Sequence, residues 1–353
     1  MSDLHAEPAA VQQRVSSLLQ LGRFEQALAM LGPALAQAPD EPVLIRQAAV
    51  ALLELDRPDE ALRQLTHAVA LTPSDPALYR LMSLAYRQQG DAGAAYRAAV
   101  ESTRLDPYAA ASHLQVAASA VLCGDQATAV HAAEYAVQLE PDDVDTHLVL
   151  AETLHPDGVR PPKADLARIE DHLRRALQLD PDNPAALNGM ARLAMARGQY
   201  AKAAGHLSSS VRAAPQLEVL HQNMDGVLIN LVGVCHWVLF LVWFVGARLL
   251  GGFAPQRWFY VVPAVAGLAV LATIAVKLGR QIPASMRAGF VRGFVRRQRL
   301  GAAWAGCLAL TAACFIVSAV LPIAAAQAVF ACAIAPLIAG AVLSWVRYYR
   351  ARR

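Results

Sequence analysis

The side chains of this chain that could do chemistry are few and scattered. His236 stands beside Cys235, half of a metal pair, but adjacent helix positions diverge by about 100° and no other ligands accompany them. His147 and His155 fall about 80° apart on a helix and read as packing or surface histidines. There is no GxGxxG, phosphate loop, GxSxG or metal-spaced set of His and Cys. The five cysteines form no CxxC, and Cys235, Cys307, Cys314 and Cys332 sit in apolar runs as small fillers. What remains is arginine, whose planar fork makes paired hydrogen bonds to carboxylates and phosphates. The sequence predicts no enzyme, no cofactor and no metal.

The charges divide the chain. All 28 acidic residues lie at or before Asp225, and beyond it stand 13 Lys or Arg without one acid. Hydrophobic residues make up 56% of the whole, above the ~45–50% of soluble domains. A single soluble globule is excluded. Nucleic-acid binding argued from the pI near 8.6 is excluded too, because the basic excess belongs to the apolar half. Arg outnumbers Lys 28 to 3, a usage expected of a G+C-rich bacterial genome. The first residues have neither a basic nor an apolar signal region, so a cleavable signal peptide is not expected.

Four apolar runs follow Asp225, at about 227–247, 258–276, 301–320 and 323–346. Each is long enough to cross about 30 Å of hydrocarbon. The loop between the second and third holds Lys277, Arg280, Arg287, Arg292, Arg296, Arg297 and Arg299, and the tail Arg347, Arg350, Arg352 and Arg353. The first loop has only Arg248 and Arg257. Positive charge marks the cytoplasmic side, so an inner-membrane protein with both termini inside is predicted. Trp258, Trp304 and Trp345 near span ends are expected to be interfacial anchors. Arg287, Arg292, Arg296, Arg297 and Arg299 flank a stripe of Met286, Phe290 and Phe294. Two readings stay open for that stripe, insertion into the anionic inner leaflet or a solvated loop. In the spans the strong polar side chains are Asn230, His236 and Gln327, and an interhelical hydrogen bond is expected of His236. Small residues four apart, such as Gly301, Ala305 and Ala309, permit close helix packing and self-association. Pro263 and Pro336 are candidate kinks.

Before Asp225 the chain repeats itself. Pro39, Pro73, Pro107, Pro141, Pro181 and Pro215 recur at intervals of 34, 34, 34, 40 and 34 residues. A turn residue precedes most of them by 17 positions: Gly22, Asp56, Gly90, Gly124 and Gly198. Small residues stand 12 before the proline at Ala27, Ala61, Ala95, Ala129 and Ala203. A second small series, five before it, runs Ala34, Ala68, Ser102, Ala136, Ala176 and Ser210. Apolar spacing on both sides of the turn predicts a helix hairpin, and a hairpin that cannot bury its own face must stack on others.

This pattern resembles the tetratricopeptide repeat family over six units, about Pro8 to Leu217. Three features depart from it. The aromatic expected early in the first helix is only Tyr79, with Ile45, His113 and Leu187 elsewhere; the one after the turn survives as Phe24 and Tyr200. The fifth unit carries a six-residue insertion between Pro156 and Pro162, most simply a surface loop. The resemblance implies an all-α, right-handed solenoid at 1–217, here followed by a capping linker at 218–224 and a four-helix membrane domain at 225–353. It further implies a groove lined by first helices. On that register Arg46 and Arg80 share one position, Arg87 lies two turns on, Asn188 takes the position in unit six and Arg192 follows a turn later. Such residues suit an acidic or C-terminal peptide segment. The leading expectation is a membrane-anchored scaffold for a protein partner. Its rival is a small channel or transporter with regulatory repeats, weakened by the lack of carboxylates in the spans.

Overall fold

The computed structural model describes residues 6–156, 161–252 and 258–350, and every regular element among them is a helix. Two compact units divide the chain, Met1–Pro181 and Asp182–Arg353.

The first unit contains five helix pairs: α1 (Ala6–Gln20) with α2 (Phe24–Gln37), α3 (Pro42–Glu54) with α4 (Pro58–Leu71), α5 (Pro76–Gln89) with α6 (Ala92–Leu105), α7 (Ala110–Leu122) with α8 (Gln126–Leu139), and α9 (Val144–Leu154) with α10 (Asp165–Leu179). Their ends follow from local chemistry. Pro42, Pro58 and Pro76 open helices where no backbone N–H is needed. Asp75, Asp91, Asp125 and Asp143 accept the first free N–H groups. Gly22, Gly90 and Gly124 turn the chain with φ of 68°, 80° and 77°, where a side chain would be strained. Asp56 fills the equivalent turn with φ 56° and bears that strain. Ala27, Ala61, Ala95 and Ala129 are fully buried, so the two helices of each pair meet at a residue with no side chain to spare. Residues 157–160 of the insertion lie outside the described residues, as do Arg257, Arg352 and Arg353.

The second unit contains one more pair, α11 (Pro184–Ala196) with α12 (Tyr200–Ala213), and then α13 (Glu218–Gly252), α14 (Trp258–Gln281), α15 (Ala284–Arg297), α16 (Arg299–Val320), α17 (Ile323–Cys332) and α18 (Ile334–Arg350). Three segments of described residues are long and apolar enough to cross a membrane, Glu218–Val245, Arg299–Val320 and Ile323–Arg347, against the four expected. The missing one, 258–276, falls in α14, whose apolar part among described residues is the shorter Gly267–Lys277. The last of these segments is broken. Pro336 cannot donate to Cys332 and its ring presses on that carbonyl, so α17 stops at Cys332 and α18 starts at Ile334. Trp243 of α13 donates its indole N–H to the Phe330 carbonyl at this break, 3.2 Å away.

Residues 218–224 are no separate linker in the backbone: they are the first two turns of α13, a helix of 35 residues, or about 52 Å. Leu220 and Met224 of these turns are buried against Ala203, Leu207 and Val211 of α12, and Phe290 of α15 joins the same core. The aromatic stripe of α15 is therefore protein core rather than a leaflet insertion, since Phe290 and Phe294 are 7% and 6% exposed. Trp304, expected at an interface, is likewise buried. Its indole N–H donates to Nδ1 of His236 at 3.3 Å, the interhelical bond expected of that histidine. The helices approach closely here because a Cβ on Gly340 would lie 2.8 Å from the Trp304 ring. Trp345 is 62% exposed.

Candidate functional site

A hydrogen bond that recurs with the repeat aligns the first helices. Six residues after the unit-closing proline, a ring reaches back to that proline's carbonyl: Tyr79 to Pro73, His113 to Pro107, His147 to Pro141, at 3.1, 2.8 and 2.9 Å. Histidine can replace tyrosine there because either ring carries a polar tip, whereas Ile45 and Leu187, at the same position after Pro39 and Pro181, cannot make the bond. His221 makes the same bond to Pro215 at 3.1 Å, although it lies in α13. The start of α13 is thus in the register of a seventh first helix. The spacing of His221 from Pro215 was the signal that sequence reading missed, because the proline series itself stops at Pro215. Hydroxyls on second helices play a similar part: Ser102 donates to the Pro76 carbonyl and Ser210 to that of Pro184.

The first helices of the first unit stack in order, α3 on α5, α5 on α7 and α7 on α9. On α3, Arg46 donates to Asp75, the N-cap of α5, at 3.3 Å, and is thus partly engaged. Arg80 holds the same place on α5, but the residue matching Asp75 one repeat on is Ala109. Arg80 is half-buried and makes no hydrogen bond or ion pair among the described residues. Arg87 donates one N–H to Gln115 of α7 at 3.1 Å, while its buried Nε has no acceptor. Burial pushes its guanidinium below the usual arginine range, against the pull of Glu152. Nearby first-helix atoms are also unsatisfied: the Gln47 Oε1 of α3 and the Ser83 hydroxyl of α5. A buried polar atom without a partner is costly, but Ser83 is fully enclosed and these atoms face no solvent, so they are not themselves open to a ligand.

The other candidates belong to the second unit. Asn188 accepts from the side-chain amide of Asn223, in α13, at 2.8 Å, and Arg192 is also partnered. Neither offers the free capacity seen on α5. Of the basic residues around α15, Arg297 is bound through two bonds of 2.8 and 2.9 Å to Asp225, a carboxylate only 2% exposed. That pairing raises the Arg297 guanidinium above its ordinary value. Arg287 donates to the Ile282 carbonyl at 3.0 Å and to that of Gly279, and Arg292 to the Ala288 carbonyl. Arg296 and Arg299 are exposed without an acid beside them. Among the described residues no three His, Cys, Asp or Glu side chains form a group that could hold a metal. Two histidines meet where His147 Nδ1 lies 2.9 Å from His172 Nδ1. His147 uses its other nitrogen as donor to Pro141, so in the neutral pair His172 donates.

Stacked helix pairs with small residues at fixed contacts define an α-solenoid of the protein-interaction class. Residues 18–85 and 164–222 match the family model of the tetratricopeptide repeat, and these two stretches carry repeats of that family. The second match runs into α13, in agreement with the His221 register. A tetratricopeptide repeat protein from Parabacteroides merdae superposes with a TM-score of 0.54 at 14% identity, covering 62% of this chain and 84% of that one. The Cut9–Hcn1 hetero-tetramer of the APC/C gives 0.51 at 14% identity, covering 92% of this chain and 55% of that one. Likeness at this identity speaks for the fold alone. No curated protein sequence matches the chain. Repeats of this family are protein-interaction scaffolds and typically not catalytic, and the three long apolar helices are compatible with membrane association.

Proposed function

We propose that this chain is a membrane-anchored scaffold whose cytoplasmic repeats take an acidic or C-terminal segment of a protein partner. The observation that carries the reading is Arg80, a half-buried guanidinium on a first helix with no acid to pair with, close in register to the incompletely bonded Arg87. A carboxylate supplies paired acceptors for such a fork. The charge supports the orientation, since 11 of the 13 bases beyond Asp225 lie in the second loop and the tail, and only two in the first loop.

The test uses the full chain in phospholipid nanodiscs and peptide libraries ending in either a free carboxylate or an amide. Selected free-carboxylate peptides should bind, and Arg80→Glu should weaken them by about tenfold or more while helix content and melting stay unchanged. Equal binding by the amidated peptides, or by the variant, would overturn the groove reading. A reporter fused after Arg353 that is active only outside the membrane would overturn the orientation.

A further inference from the structure

One face of α13 is left bare in a way that hydrocarbon does not explain. Val234, Trp237, Leu241 and Phe244 are 40%, 70%, 59% and 48% exposed, and Asn230 is exposed on the same side. These five residues are spaced four, three, four and three apart, the heptad spacing of a helix seam. Lipid would cover the apolar members without cost. It cannot serve the amide of Asn230. Asn230 spends one amide N–H on the Gly226 carbonyl at 2.9 Å, which leaves its other N–H and its own carbonyl oxygen unused among the described residues.

We infer that this stripe is the seam of a parallel dimer, occupied by α13 of a second copy of the chain. Two copies in one membrane share an orientation, so their α13 helices run parallel. A two-fold axis then sets each stripe residue against its own counterpart. Asparagine suits that arrangement because one carboxamide carries both a donor and an acceptor, and two of them pair reciprocally. Asparagine at one core position also fixes the register of paired helices. A helix from an unrelated protein would need a matching amide at the matching depth, whereas a second copy carries one by construction. The inference rests on the membrane anchorage proposed above.

The full chain, with its five cysteines replaced by serine or alanine, is to be oxidised in native membranes after adding a single cysteine. Val234→Cys and Leu241→Cys should give a crosslinked dimer. Leu310→Cys and Ile338→Cys, both 57% exposed on other apolar helices, should not. Adding Asn230→Ala to Val234→Cys should lower the dimer yield by about threefold to tenfold. Three outcomes overturn the seam: no dimer at either stripe position, equal yields at Leu310→Cys, or an adduct whose mass includes a different protein. A chain washed from membranes at alkaline pH would overturn the anchor and the seam together, while a retained chain without crosslinks overturns the seam alone.

Discussion

In the repeats one small contact recurs from unit to unit, whereas among the described residues of the apolar helices the side-chain bonds that join one helix to another are each of a different kind. Tyr79, His113, His147 and His221 all reach a proline carbonyl, and Ser102 and Ser210 do the same from second helices. Each such bond contributes about 1 kcal/mol, and losing one leaves the others in place. Past α12 the design is different. Asp225 has Arg297, His236 has Trp304 and Trp243 has the Phe330 carbonyl, with no second example of any among the described residues. Water offers exposed polar atoms an alternative partner, so repeats can use many weak bonds. A hydrocarbon environment offers none, so each polar group must find its own partner through packing.

That difference can be broken most severely at Asp225. Arg297→Met leaves a buried carboxylate unpaired and should cost about 3 kcal/mol. The double variant Asp225→Leu/Arg297→Met should recover most of the loss. Thermal denaturation of the detergent-solubilised chain measures both, and equal melting of single and double variants would show that the pair is not a point of concentrated stability. Within the repeats the matching insult is Ala95→Leu, which forces a side chain into a fully closed contact. Its expected cost is about 2 kcal/mol. Hydrogen exchange should confine the damage to α5, α6, α7 and their immediate neighbours, and protection lost evenly over all five pairs of the first unit would contradict the additive picture.

The His147–His172 pair sharpens the comparison through pH. Burial, then the charges of His147 and Arg168, push the His172 imidazole below its usual range, against weaker pulls from Asp171 and Glu134. The unfolded chain therefore takes up a proton first. Stability present at neutral pH should decline as pH falls below about 6.5 toward the depressed folded value. Replacement His172→Gln should flatten that slope in melts recorded between neutral and mildly acidic pH. An unchanged slope would assign the pH response to other groups. The smallest effect has the opposite sign. Asp56→Gly removes a side chain from a turn with positive φ and should stabilise the first unit by about 0.5–1 kcal/mol. A loss of stability at that position would mean that the Asp56 side chain serves its turn in a way the backbone strain conceals.

Much of the fold is legible in the residue order itself. Glycine and aspartate at the turns, proline at the helix starts and alanine at the contacts are local demands of the backbone, so their spacing spells out the hairpin directly. The apolar runs after Asp225 are equally plain, because crossing hydrocarbon sets a minimum length. The register alone places Arg46, Arg80 and Arg87 on first helices. It does not reveal their state: Arg46 is engaged and Arg80 is free because Asp75 starts one first helix and Ala109 the next, and only folding sets those residues side by side.

Composition and spacing by themselves determined that this chain is a repeat array joined to apolar helices, since each of those properties is written within a few turns of helix. Tertiary structure alone decided the rest. Phe290 and Phe294 became core rather than lipid contacts because α15 packs within its unit. The start of α13 became a first helix and the start of a long apolar helix in one because nothing between Leu220 and Val227 breaks it. Asp225 found Arg297 across 72 residues of sequence. Such pairings depend on which surfaces meet once the helices pack, and residue spacing along one helix carries no record of its neighbours.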